Sequence, residues 1–181
     1  KVIGGHLIKL QNEIDDYLHM LEKGHVEENE LSEIRIFAEK DLCIKIPDVY
    51  ESYDNEGKNK LLFNYLNRPL RVCGMVKNEG EPGGGPFYVK SSNNEESLQI
   101  VEQAQMNLND PEQKEIAKKA THFNPVDLVC NLRDYQGNQF KLHDYIDPQT
   151  GIISIKSKDG KDLKAQELPG LWNGAMAGWI T

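Results

Sequence analysis

The sequence predicts an α/β or α+β fold: a helical N-terminal region, then a mixed sheet with inserted helices and a hairpin-rich C-terminal part. Three observations carry this expectation. Apolar residues recur at helical spacing up to Pro69, a nearly unbroken apolar run occupies Leu70 to Val76, and turn signals recur at short intervals after Leu132. The implied division is residues 1–68, helical, and residues 69–181, mixed, with the helices packed on the second part as one domain.

Leu7, Leu10, Ile14, Tyr17, Leu18 and Leu21 share one helical face, and Gly24 supplies a stop. A second helix is expected from Asn29 as cap, with Leu31, Ile34, Phe37 and Ala38 as its stripe and Pro47 beyond its exit. Residues 48–60 are polar and turn-prone and read as a loop or lid. Leu61, Leu62, Tyr65 and Leu66 then predict a short helix closed by Arg68 and Pro69. The run Leu70 to Val76 has the texture of a strand buried on both faces. Leu98, Ile100, Val101 and Ala104 suggest a further helix, and Asp110, Pro111 and Gln113 form a helix start running to about Ala120. Val126 to Leu132 is an apolar run. After it, turns at Tyr135 to Asn138, Asp147 to Gly151 and Lys158 to Lys161 separate short strands at Phe140 to His143, Ile152 to Ile155 and around Leu163.

The stretch that stands out is Lys77 to Gly85, where charge crowds around Gly80 and the triplet Gly83, Gly84 and Gly85. Consecutive glycines let backbone N–H groups converge on an oxyanion, here beside Lys77 and Asn78. Neither a GxxxxGK[ST] loop nor a GxGxxG opening a helix is present, and Pro82 and Pro86 remove two donors. Glu79 and Glu81 would repel a bare phosphate unless a divalent cation stood between them. The competing reading is a structural connection between two strands. His122, Asn124, Asp127, Arg133 and Asp134 lie in loops or at strand ends that can converge on the same cleft, although turn and cap chemistry explains the two aspartates as simply. Trp172 and Asn173 sit in a glycine-flanked loop suited to stacking on a sugar or base, or to burial beneath that loop.

Composition narrows the classes. The chain has 181 residues and net charge −8, with residues 1–60 at net −6 and residues 61–181 at net −2. It shows no basic stripe of the kind nucleic-acid binding needs, and no membrane-length apolar run. Apolar content of 38% and mean hydropathy of −0.62 leave room for loop surface or for a face that meets a partner. Cys43, Cys73 and Cys130 are too far apart in sequence for a zinc motif and read as reduced, buried thiols. His6, His19 and His25 lack metal-binding helical spacing, and His143-Asp144 lacks companion histidines. A start at Lys1 and a stop just after Trp179 and Ile180 suggest a fragment of a longer, cytoplasmic protein.

The segments RVCGMVKNEGEPGGGPF, THFNPVDLVCNLRDYQGNQFKLHDYIDPQTG and KSKDGKDLKAQELPGLWNGAMAGW resemble the C-terminal portion of a bacterial family of unknown function, domain-of-unknown-function family 4301. Longer members of that family are similar to nucleotide-sugar pyrophosphorylases, in which an N-terminal portion absent from this chain would contact the nucleotide. The resemblance implies that this segment supplies the sugar-phosphate side of a magnesium-dependent nucleotidyltransferase. Lys77 and Gly83 to Gly85 would then face the sugar phosphate, and Asp127 or Glu81 would hold the magnesium ion. The expectation from a different class is a non-enzymatic interaction or ligand-binding domain whose glycine loop is structural. A metal-dependent phosphohydrolase built on His122 and Asp144 comes third.

Overall fold

A computed structural model describes residues 1–80, 83–91, 94–169 and 174–181. The expectations placed on Glu81, Trp172 and Asn173 lie outside the described residues.

Helix α1 (Val2–Glu22) buries the predicted stripe Leu7, Leu10, Ile14, Leu18 and Leu21, and the chain leaves it through Gly24 at φ +77°. Helix α2 (Glu28–Lys40) starts two residues after the chain passes Val26. Its cap is Glu27 rather than Asn29, and the Glu27 N–H donates to Glu30 Oε2 at 2.8 Å. Helix α3 (Asn55–Leu66) is longer than its apolar residues suggest. Asp54 Oδ1 accepts the Gly57 N–H at 2.8 Å and so starts the helix inside the stretch expected to be a loop or lid, whose first part, Asp48–Ser52, is a 3-10 turn. Lys58 explains why that polar stretch is ordered. It is 8% exposed, with its ammonium 5.4 Å from the centre of the Tyr50 ring and 2.6 Å from Glu28 Oε1. The three helices enclose one apolar core in which Leu31, Ile34, Leu62 and Leu66 have no solvent exposure.

The strands are β1 (Leu70–Lys77), β2 (Gly85–Lys90), β3 (Glu96–Val101), β4 (His122–Asn131), β5 (Ile152–Lys158) and β6 (Lys161–Glu167), with α4 (Pro111–Lys118) between β3 and β4. The class is α+β. Instead of one mixed sheet, the described strands form three antiparallel pairs, β1–β4, β2–β3 and β5–β6, with one parallel bridge from Leu70 to Ile180. Strand β1 is correspondingly not buried on both faces. Its burial fades from Leu70 and Arg71 to exposed Val76 and Lys77, and its first turnings join Ile180 and Val129 to the helical core.

Two segments change type. Leu98 to Val101 is strand, because Glu96 to Val101 runs opposite Lys90 to Gly85 in an unbroken hairpin register. Phe140 to His143, expected to be strand, instead enters a 3-10 turn at Leu142–Tyr145, and Tyr145 packs edge-on against Phe140 at 5.6 Å. The predicted hairpin at Lys158 to Lys161 forms with Asp159 at φ 54° and Gly160 at φ 75°, two consecutive left-handed residues as a tight two-residue turn requires. All three cysteines are free and half-buried, and burial pushes the Cys73 and Cys130 thiols above their ordinary range. No helix among the described residues is long and apolar enough to cross a membrane.

Candidate functional site

The β1–β4 register places Lys77 opposite His122, so the end of β1 that leads into the glycine stretch meets the start of β4. Asn78 fixes this end: its N–H donates to Thr121 O and its Nδ2 to Ala120 O, both at 3.1 Å, while its Oδ1 accepts the Gly80 N–H at 2.9 Å. The glycine triplet then crosses directly over β4. Gly84 and Asn124 exchange two hydrogen bonds, Gly84 N–H to Asn124 Oδ1 and Asn124 N–H to Gly84 O, each 3.1 Å. A Cβ at Gly83 would run into the Phe123 ring, one at Gly84 would stand 2.8 Å from Val101 O, and one at Gly85 2.9 Å from His122 O. Only glycine permits that approach. One of the three N–H groups that an anion nest would need is therefore committed to Asn124, and Gly85 is already paired with Val101 in the hairpin. Beside this junction lies a pocket of about 90 Å³, walled by the triplet, Asn78, His122 and Phe123 on one side and by Met106 and Ala117 on the other.

Lys77, Asn78, Gly83, Gly84, Gly85, His122 and Asn124 are thus brought together. Arg133 is not. It follows β4 at the opposite end of the ladder, where Nη1 donates to Gly137 O at 2.8 Å, with the length of β4, roughly 30 Å at about 3.3 Å per strand residue, between it and His122. Asp127 faces Gly74 in the middle of the ladder, at an exposed position. Among the described residues no group of three potential metal-ligating side chains exists. His122 and Asp144 line different pockets, which separates the pair on which a phosphohydrolase would be built.

A much larger cleft, about 910 Å³, lies elsewhere. One wall is the β2–β3 hairpin, the opposite wall is the segment Asp144 to Ile153 with Gly174 to Gly178, and Tyr65 and Arg68 from the end of α3 close it. The walls are tied together by hydrogen bonds that the local sequence makes necessary. Gly178 N–H donates to Tyr145 O at 3.0 Å and Asp147 N–H to Gly174 O at 2.9 Å. Gln99, 9% exposed, sends Nε2 to Ala177 O at 2.8 Å. Gly174, at φ +87°, leaves no room for a side chain against Thr150.

Arg68 is the cation of this cleft. Its Nε donates to Asn64 O at 2.9 Å and its guanidinium carbon lies 4.7 Å from the centre of the Tyr65 ring, and it makes no ion pair among the described residues. Burial raises the Tyr65 and Tyr145 hydroxyl pKa values, and the nearby Arg68 charge partly opposes both shifts. The guanidinium therefore lies over the Tyr65 ring, in a cleft that Tyr145 also lines. Lys90 adds a second cation at the rim, and Glu95, Glu96, Asp144 and Asp147 supply acceptors. Aromatic faces, hydroxyl acceptors and a separate cationic end are the groups a phosphorylated sugar engages.

Sequence reasoning missed this cleft. Arg68 reads only as a helix end before Pro69, and Gln99 falls in a segment with helical spacing. No motif links the four separate stretches that form the walls.

No curated protein matches the chain, and no solved structure matches it. The family model described as Domain of unknown function (DUF4301) matches residues 1–181, and the chain belongs to that family.

Proposed function

We propose that this chain binds a phosphorylated sugar in the 910 Å³ cleft, with the phosphate on Arg68 and the sugar between Tyr65 and Tyr145. The observation that carries this reading is a guanidinium without an ion pair, among the described residues, lying over the Tyr65 ring in a cleft of ligand size that Tyr145 also lines. In the finer form of the reading, the chain is the sugar-phosphate-binding part of a sugar nucleotidyltransferase whose nucleotide side lies outside residues 1–181. Magnesium would then be held chiefly by phosphate oxygens and by carboxylates that the described residues do not gather.

The reading as a ligand-binding domain without catalysis is favoured by one specific observation. The glycine triplet serves close packing on β4, gives its Gly84 N–H to Asn124 Oδ1 and enters the hairpin register opposite Val101, as a structural loop does. The two forms share the cleft and differ in what they ask of magnesium and of Lys77.

Thermal melting of the protein with hexose phosphates, nucleotides and nucleotide sugars, with and without magnesium, tests both. A ligand of the folded state raises apparent stability by mass action. Hexose phosphate is expected to raise the melting temperature. Arg68→Ala is expected to weaken that ligand about tenfold to a hundredfold, since a hydrogen bond to a charged group contributes about 1.5–3 kcal/mol. In a longer chain that carries the nucleotide side, a magnesium-dependent nucleotide response that Lys77→Ala abolishes selects the transferase form, and a magnesium-independent hexose phosphate response unaffected by Lys77→Ala selects the binding form. A flat response to every hexose phosphate at saturating concentration would sink the proposal.

A further inference from the structure

Strands β5 and β6 form a ribbon that joins no other described strand. Its base is held by Ile152, which is buried, and by Pro169 and Gly174, which lie beside Gly151 and Thr150. Ile152 and Ile153 of β5 line the 910 Å³ cleft and no residue of β6 does, so β6 forms the outer edge. Lys161, Asp162, Leu163 and Lys164, toward the tip, are all exposed, Leu163 to 49%. A two-stranded ribbon is marginal in water, and an exposed strand edge is a template for a further strand.

The turn sets the hydrogen-bond phase of that edge. Lys158 and Lys161 face each other across the left-handed residues Asp159 and Gly160, so their peptide groups bond to each other, as in a two-residue hairpin. By alternation Leu163 and Ala165, opposite Lys156 and Ser154, also direct N–H and C=O toward β5. Asp162, Lys164 and Gln166 direct theirs outward, and an antiparallel neighbour must set its own outward residues opposite them. For two copies related by a two-fold axis this leaves few registers. Lys164 on the axis opposes lysine to lysine, Asp162 on the axis opposes aspartate to aspartate, and Ala165 on the axis pairs no opposite charges. With Leu163 on the axis, Leu163 meets its own copy and Asp162 stands opposite Lys164 on both sides. Each Asp162–Lys164 rung then exchanges both of its N–H···O bonds. Neither side chain has an ion pair among the described residues, and the ribbon's own ion pair, Lys156 Nζ to Glu167 Oε1 at 3.0 Å, uses neither.

We infer that the chain pairs with a second copy of itself through β6, antiparallel and with Leu163 on the two-fold axis, so that two ribbons become one four-stranded sheet. The order acidic, apolar, basic in Asp162, Leu163 and Lys164 is its own complement when the strand is reversed, which is the property an isologous contact needs. Opposite charges directly across an antiparallel pair are favourable and like charges are not, so the same order selects this register over its neighbours. The contact is short, and the association is correspondingly weak and reversible. It leaves the 910 Å³ cleft on the far side of the ribbon and does not rest on the sugar-phosphate reading.

Sedimentation velocity of the full chain, from dilute solution up to its solubility limit, tests the inference. The wild type is expected to pass from monomer to dimer as its concentration rises. Asp162→Lys and Lys164→Asp each set like charges opposite each other on both sides of the axis, and each is expected to weaken the dimer about tenfold or more. Both positions are exposed, so the melting temperature of each dilute variant is expected to match the wild type. An equimolar mixture of the two variants sets opposite charges face to face at both rungs, and it is expected to dimerise at least as tightly as the wild type. A wild type that stays monomeric throughout would overturn the inference and leave the edge to a different polypeptide. A dimer indifferent to both reversals, or variants that stay monomeric when mixed, would overturn it as well.

Discussion

The helical region and the β region of this protein are held by different means. Among the described residues, every member of the main core except Leu70 and Ile180 lies between Leu7 and Leu66. The β region consists of two-stranded ribbons that leave Val126, Ile153 and Ile155 between 65% and 72% exposed. Isolated two-stranded ribbons are marginal in water. The contacts that hold these in place include Leu70, Val72, Val129, Tyr135 and Ile180 on the core, the glycine triplet across β4, and Gln99 on the Ala177 carbonyl. The candidate ligand cleft is built at the last of these joints, where the Gln99 hydrogen bond ties its two walls together.

The largest contrast is in stability. Ile34→Ala or Leu62→Ala removes side chains with no solvent exposure and is expected to cost about 2–5 kcal/mol. Ile155→Ala, at a position 72% exposed, is expected to stay within about 0.5 kcal/mol. Urea denaturation monitored by circular dichroism measures both. A comparable loss at Ile155 would mean that the β5–β6 ribbon shares the core's cooperativity.

A smaller effect is expected at the junction. Gly84→Val places methyl groups against Val101 O, which a Cβ alone would approach to 2.8 Å, and overpacking of this kind costs about 1–3 kcal/mol. Hydrogen exchange should then quicken in β2 and β3 while α1 and α3 keep their protection. Uniform loss of protection in the helices would show that the junction belongs to the core.

The smallest effect concerns Asp15, on the helical surface. Burial holds its carboxyl above its usual 3.8, with the Gln11 Nε2 hydrogen bond and His19 opposing the shift. The folded state therefore binds this proton more tightly than the unfolded state does. Its contribution to stability is greatest below 3.8 and falls as pH rises through the raised folded value. Asp15→Asn should accordingly gain stability at neutral pH relative to the wild type and lose that part of the pH dependence. Melting curves from acid to neutral pH measure it, and a variant less stable than the wild type at neutral pH would contradict the assignment.

The helices were legible because their signal is local. The spacing of Leu7, Leu10, Ile14, Leu18 and Leu21 names both the helix and its buried face before any partner is known. The exception, α3, was hidden by Asn55 to Lys60, whose polar side chains mask a cap at Asp54 and the packing of Lys58 on Tyr50. Strand pairing is not local, so Leu98 and Ile100 fit a helix until Gly85 to Lys90 are laid beside them. The glycine triplet was visible as a feature, and its close approach to Phe123, Val101 and His122 needed coordinates to see. Arg68, Tyr65, Gln99 and Tyr145 carry no shared pattern in the sequence, because the cleft joins them only in three dimensions.

The central claim is that ligand is held in the cleft around Arg68 and not at the glycine junction. Titration of the isotopically labelled protein with a hexose 1-phosphate, followed by backbone and arginine side-chain chemical shifts, tests it most directly. The account predicts saturable shifts at Tyr65, Arg68, Gln99, Tyr145 and Thr150, with Lys77, Gly83 to Gly85 and His122 unmoved. Shifts confined to Lys77, the glycine triplet and His122 would contradict it.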